Sequence, residues 1–153
     1  MNIRPAVPSD AEAILALERA SFAVPWSESS IRVDLASNPA AHYLVAVEEG
    51  CVAGYIGMWA ILDEAQVMDV AVAPAARRRG IGRALVARMI EEARELGLDR
   101  ILLEVREKNT GAIALYAAMG FESDGLRRGY YPDDGDNAIL MSRKIRGRNT
   151  ECR

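Results

Sequence analysis

Cysteine and histidine are almost missing from this 153-residue chain, which has two of the first and one of the second. Cys51 stands in an apolar stretch and Cys152 in a polar tail, so a disulfide framework is not expected. Two thiols and His42 cannot assemble a metal-ligand cluster, and no metal is expected. His42, at the start of a strand with no partner motif, reads as structural. Long apolar runs are absent too. None approaches the ~18 residues that a membrane span requires, and Met1-Asn2-Ile3-Arg4 leads into no apolar signal core. A cytoplasmic protein with no membrane partner is the expectation. The chain also lacks G-x-G-x-x-G and G-x-x-x-x-G-K-S/T, which disfavours Rossmann dinucleotide and Walker-type nucleotide binding. With a formal net charge of −3, direct nucleic-acid binding is not expected either.

What is present suits one soluble domain. Hydrophobic residues make up 50% and charged residues 27%, an ordinary globular balance. A chain of this length buries roughly two thirds of its unfolded surface. No linker, repeat or low-complexity block interrupts it. Strands are predicted at Ile3 to Val7, His42 to Glu48, Val52 to Ile61, Val67 to Val72, Ile101 to Arg106, Glu122 to Tyr130 and Ala138 to Lys144. Helices are predicted after Ser9-Asp10-Ala11-Glu12, which has the S-x-x-E form of a capping box, and from Ser27 to about Asn38. Two more are expected at Arg78 to Leu96 and Asn109 to Met119. Glu49-Gly50 reads as a hairpin turn. Such an order predicts an α/β domain with a mixed sheet of about seven strands and four helices covering both faces. The domain is expected over 1–146, with 147–153 a polar, frayed tail.

The most informative stretch is Arg77-Arg78-Arg79-Gly80-Ile81-Gly82-Arg83. An apolar strand precedes it, and a helix follows in which Ile81, Leu85, Met89, Ile90, Ala93 and Leu96 recur at helical spacing up to Gly97. The first backbone N–H groups of a helix lack intrahelical acceptors, and the helix dipole favours negative charge there. Gly80 and Gly82 have no side chain to hold a phosphate away. A phosphate-bearing ligand is therefore expected at this turn; the plainer reading is a basic helix end with a solvated face.

Further along, Ile101-Leu102-Leu103-Glu104-Val105-Arg106 places a carboxylate inside a buried-strand pattern. It reads as a salt-bridged glutamate or as a general base, since partial burial raises a carboxyl pKa toward neutrality. Asn109 is a natural helix cap and Tyr116 a natural core tyrosine. Yet L-E-V-R followed by N-x-x-A-x-x-L-Y-x-x-x-G-F is a long and specific pattern.

Together these residues resemble the GNAT superfamily of N-acetyltransferases, whose pyrophosphate loop reads R/Q-x-x-G-x-G/A, here Arg77, Gly80 and Gly82. The Pro25-Trp26-Ser27-Glu28 loop after Phe22, and Arg127-Arg128-Gly129-Tyr130-Tyr131-Pro132, narrow the likeness to the RimI-type branch. That branch acetylates the N-terminal alanine of a small-subunit ribosomal protein. The likeness runs from about Ile3 to Ile145.

The resemblance implies a set of roles. The backbone of Val70, Ala71 and Val72 would hold the pantetheine arm of acetyl-CoA, with a Val70 N–H polarising the thioester carbonyl. Arg78, Arg79, Gly80, Ile81, Gly82 and Arg83 would present amides to the pyrophosphate, and Asn109 would bind the cofactor near its thioester end. Glu104 would be the general base and Tyr116 the general acid, while Trp26, Tyr130 and Tyr131 would grip the substrate. Trp26 reads equally as core. Gly111 in the fourth helix and Asp69, a charge beside the cofactor strand, depart from the simplest pattern.

Direct transfer to an amine needs no nucleophilic Cys or Ser, in keeping with the composition. An α-amino group of pKa near 8 is about 10% neutral at pH 7, against about 0.04% for lysine, so a glutamate base suits the first better. A monomer acting on a protein N-terminus, here a ribosomal protein, is the expectation. A lysine, polyamine or small-amine acceptor, and a non-catalytic acyl-CoA-binding module, are the alternatives. Asp133, Asp134 and Asp136 keep the polyamine open, though a solvated turn also explains them. Met58, Trp59, Met68 and Met89 read as core packing.

Overall fold

The structure, a computed structural model, describes residues 1–145. Cys152 and the expected polar tail at 147–153 lie outside the described residues. Seven strands and four helices alternate as the sequence predicts: β1 (Asn2–Pro5), α1 (Ala11–Ser21), α2 (Glu28–Ser37), β2 (Ala41–Glu48), β3 (Cys51–Ile61), β4 (Glu64–Val72), α3 (Ile81–Glu95), β5 (Arg100–Arg106), α4 (Thr110–Ala118), β6 (Glu122–Arg127) and β7 (Ala138–Lys144). The strands form one mixed sheet in the order β1-β2-β3-β4-β5-β7-β6. Within it β4 and β5 run parallel, pairing Glu64 to Gln66 with Arg100 to Leu102, while β1-β2, β2-β3, β5-β7 and β6-β7 are antiparallel. The chain divides into two compact units, 1–60 with 68–89 and 61–67 with the chain from 90 onward.

In the first unit the core gathers Ala11, Ile14, Leu15 and Leu17 of α1 with Ile31 of α2, Tyr43 and Val45 of β2, Tyr55 of β3 and Ala71 of β4. The helical spacing of the α1 residues gives that helix one apolar face, and its burial in this core contributes to the unit's hydrophobic stabilisation. The two helix starts differ. Ser27 caps α2 as expected, its Oγ accepting from Ser30 N at 3.1 Å. Ser9 does not cap α1. A single 3₁₀ turn at Pro8–Asp10 precedes that helix, and the Asp10 carboxylate reaches back to accept from Val7 N at 2.8 Å. Arg4 then holds the same carboxylate with two hydrogen bonds of 2.8 and 3.0 Å. An aspartate that serves both the turn and an arginine outcompetes the weaker Ser9 hydroxyl.

In the second unit β5 alternates strictly. Ile101, Leu103 and Val105 are buried, and Arg100, Leu102, Glu104 and Arg106 occupy the other face. Glu104 therefore lies on the face opposite Ile101, Leu103 and Val105, and period-two geometry separates its carboxylate from those buried neighbours. α4 ends where Phe121 N donates to Tyr116 O at 3.0 Å and Gly120 takes φ +94°. A Cβ at Gly120 would come within 2.9 Å of Arg143 Nε, the movable end of a flexible side chain, so it is the backbone φ that demands glycine there. β6 stops at Arg127, three residues short of expectation, because Gly129 N turns aside to donate to Asn137 Oδ1 at 2.8 Å.

Candidate active site

The loop between β4 and α3 carries the arginine-glycine motif. α3 begins at Ile81, not at Arg78: Arg78 has φ +66° and Gly80 φ +81°, and neither conformation belongs to a right-handed helix. The first intrahelical bond runs from Ala84 N to Gly80 O at 3.0 Å. Leu96 lies beyond the other end and is 44% exposed, outside the stripe of Ile81, Leu85, Val86, Met89, Ile90 and Ala93 that is buried. A Cβ at Gly82 would meet only Val72 at 3.7 Å, an ordinary contact, so the protein's own packing does not require that glycine. Gly80 is required by its φ. Two of the arginines brace the loop itself. Arg77 donates from Nε to Val72 O at 3.0 Å and from Nη2 to Ser21 Oγ at 3.3 Å, and Arg79 pairs with Glu48 of β2. Val70, Ala71 and Val72 end β4, with Ala71 buried and the other two half-buried.

A second cluster of polar groups lies beneath the Trp26 loop. Glu18, on the core face of α1, is 0% exposed. It accepts from Tyr55 Oη at 2.5 Å and from Trp26 N at 2.8 Å. Asp69 of β4 joins it. Burial pushes the Asp69 carboxyl up to about 9, with the hydrogen bond to Glu18 and that group's charge adding to the effect, while a hydrogen bond from Trp26 opposes it. The two carboxyls therefore favour sharing one proton over carrying two charges side by side. Burial, then the Glu18 charge, drives the Tyr55 hydroxyl far above its ordinary range as well. Trp26 is thus anchored to Glu18 through its backbone N–H. Its side chain is 38% exposed and lines a cleft of ≈ 360 Å³ together with Asp34, Tyr43, Trp59 and Met68. Trp26 is a wall residue and not core. Trp59 and Met68 are half-buried on the same cleft, whereas Met58 and Met89 are fully buried as expected.

In the second unit Glu104 is half-buried, its carboxylate 3.5 Å from Arg127 Nη1. The same carboxylate, through hydrogen bonding, and then burial raise the pKa of the Tyr130 hydroxyl. Tyr130 and Tyr131 meet edge to face at 5.1 Å, with the Arg127 guanidinium 5.4 Å from the first ring and that of Arg106 4.0 Å from the second. The neighbouring aspartates are occupied. Arg106 holds Asp133 with two bonds of 3.0 Å and Asp134 with one of 2.9 Å. Asp136 is buried and accepts from Asn137 N at 2.8 Å and Lys108 N at 3.3 Å. Asn109 caps α4, its Oδ1 accepting from Ala112 N at 3.1 Å, and Tyr116 packs on Phe121 with ring centroids 5.7 Å apart. Gly111 is the second residue of α4, in the first turn, where glycine costs less than in a helix interior.

Glu104, Arg127, Tyr130 and Tyr131 are thus brought together, and so are Trp26 and Asp69. Sequence reasoning did not single out Glu18 or Asp34, and it met Arg127 only as part of the Arg127 to Pro132 motif, without a role. A glutamate at the apolar spacing of Ile14 and Leu15 was a readable sign of the first; the other two depend on contacts that no local pattern carries. Among the described residues no group of three or more His, Cys, Asp or Glu could hold a metal ion, and no helix is long and apolar enough to cross a membrane.

The family model described as "Acetyltransferase (GNAT) family" matches residues 11–121. The chain is 38% identical over 141 residues to the ribosomal protein bS18-alanine N-acetyltransferase of Escherichia coli K12, covering 90% of this chain and 93% of that protein. A crystal structure of the ribosomal-protein-S18-alanine N-acetyltransferase from Escherichia coli superposes with a TM-score of 0.88 at 34% identity, over 97% of both chains. Ard1 from Thermoplasma volcanium superposes with a TM-score of 0.86 at 28% identity, over 95% of this chain and 97% of that one.

Proposed function

Since this chain belongs to the acetyltransferase (GNAT) family, we propose that it moves the acetyl group of acetyl-CoA to the free α-amino group of a protein, an alanine N-terminus of a ribosomal protein of the bS18 kind. The observation that carries the acceptor is the 38% identity, across 90% of the chain, to a relative named for that reaction. A second observation disfavours a polyamine. The aspartates that would attract one are spoken for, Asp133 and Asp134 by Arg106 and Asp136 by backbone amides. Asp134 in turn sits below its ordinary carboxyl value, held there first by the Asp136 amide and then by Arg106.

In this reading the backbone of Val70, Ala71 and Val72 receives the pantetheine arm, and the amides of Ile81, Gly82 and Arg83, which precede the first intrahelical bond of α3, receive the pyrophosphate. Arg78 and Arg79 add positive potential, and Asn109 contributes near the thioester end. The neutral amine nitrogen attacks the thioester carbonyl carbon, and a C–N bond forms. Glu104 accepts the proton that the nitrogen sheds, directly or through a water. The C–S bond then breaks and Tyr116 protonates the departing thiolate. Arg127 stands 3.5 Å from the Glu104 carboxylate, and Trp26, Tyr130 and Tyr131 hold the peptide. The protein works in the cytoplasm as a monomer.

Thiol release from acetyl-CoA tests this. A peptide with a free alanine N-terminus is expected to turn over, and an N-blocked peptide carrying lysine is not. Turnover of the blocked peptide alone would move the acceptor to a side chain.

A further inference from the structure

The cleft in the first unit holds a carboxylate that the acetyl-transfer chemistry does not use. Asp34 of α2 lines it, half-buried, together with Trp26 and Trp59. Its Oδ2 accepts from Tyr43 Oη at 2.7 Å and Trp59 Nε1 at 2.9 Å, and its Oδ1 from Asn38 Nδ2 at 2.9 Å. All three donors are neutral, and among the described residues no cation pairs with it. A carboxylate in such a place is fixed in direction but keeps its charge uncompensated. Around it stand aromatic faces and the Met68 thioether, surfaces that suit an apolar stem ending in a planar cation. Trp26 belongs both to this cleft and to the loop assigned above to the substrate. We propose that the cleft is a subsite for an arginine side chain of the acceptor, a few residues from its N-terminus. The proposal rests on the α-amine reading. A guanidinium fits better than an ammonium: it stacks on indole, is more weakly hydrated, and can donate to the one lone pair that Asp34 Oδ1 keeps free.

The test uses peptides that start with alanine and carry one arginine at the second, third or fourth position of an otherwise small, neutral sequence. Matched peptides carry citrulline or lysine instead. At one position arginine is expected to exceed citrulline in kcat/KM by about tenfold or more, mostly through KM, as for a hydrogen-bonded charge pair. Asp34→Asn is expected to shrink that ratio to within about twofold. Because the same substitution also disturbs Tyr43 and Trp59, the wild-type arginine-to-citrulline ratio is an independent reading that needs no variant. A ratio near one at all three positions, a ratio that persists in Asp34→Asn, or lysine equal to arginine would overturn the subsite while alanine peptides still turn over. If no alanine peptide is acetylated and acetyl-CoA is consumed only with other amines, the α-amine reading falls and the subsite with it.

Discussion

In the proposed mechanism Glu104 and Tyr116 carry the heaviest chemical load at the residue scale. Glu104→Gln keeps the shape and the hydrogen-bond capacity toward Tyr130 but removes the base, so kcat/KM for an alanine peptide should fall by about 10²–10³-fold. Tyr116→Phe removes the acid and leaves the packing on Phe121, which predicts a fall in kcat of about 10²-fold with little change in acetyl-CoA binding. Steady-state kinetics and isothermal titration separate the two effects. Asp69 offers a pH prediction. Its carboxyl is pushed up from 3.8 to about 9 in the folded protein. The proton it retains stabilises the fold fully below the unfolded value; that contribution shrinks as pH rises and is gone above about 9. Thermal melts between pH 6 and 9 should therefore show a decline in Tm that Asp69→Asn, which has no proton to lose, makes shallower. An equal slope in both proteins would contradict the assignment.

At the scale of elements, the β4–α3 turn depends on Gly80. Any other residue there must hold φ +81°, at a cost of about 1–2 kcal/mol. Gly80→Ala should lower Tm and raise KM for acetyl-CoA, while Gly82→Ala, with room at 3.7 Å from Val72, should affect the cofactor more than the fold. Ser27→Ala removes the α2 cap and should cost about 1 kcal/mol by denaturant melt. These elements were legible in the sequence to different degrees. The α2 cap, the hairpin at Glu49-Gly50 and the β7 limits follow from local chemistry and stand where the residues place them. The α3 start does not, because helical periodicity cannot reveal that Arg78 is left-handed. Trp59 and Met68 look like core in any window, and only tertiary packing turns them toward a cleft. Asp69 reads as a charge until Glu18, 51 positions earlier in a helix, is found against it. Long-range pairings of this sort are what a single sequence leaves out.

For the whole molecule, net charge and local charge point in opposite directions. The chain carries −3 overall, while Arg77, Arg78, Arg79 and Arg83 gather at one turn. An anionic cofactor approaching that turn feels the local field, which salt screens over roughly 8–10 Å. KM for acetyl-CoA should therefore rise with ionic strength more than kcat changes. Binding should also protect the fold as a whole. At a hundredfold excess over Kd the gain is about 2.7 kcal/mol, visible as an upward shift of Tm with acetyl-CoA that free acetate does not give.

The most direct measurement of the central claim is the intact mass of an alanine-initiated peptide after incubation with the protein and acetyl-CoA, with fragmentation to locate the acetyl group. The account predicts one acetyl group, on the α-nitrogen, and near-complete loss of it in Glu104→Gln. An acetyl group found on a lysine side chain, or full α-acetylation by Glu104→Gln, would contradict it.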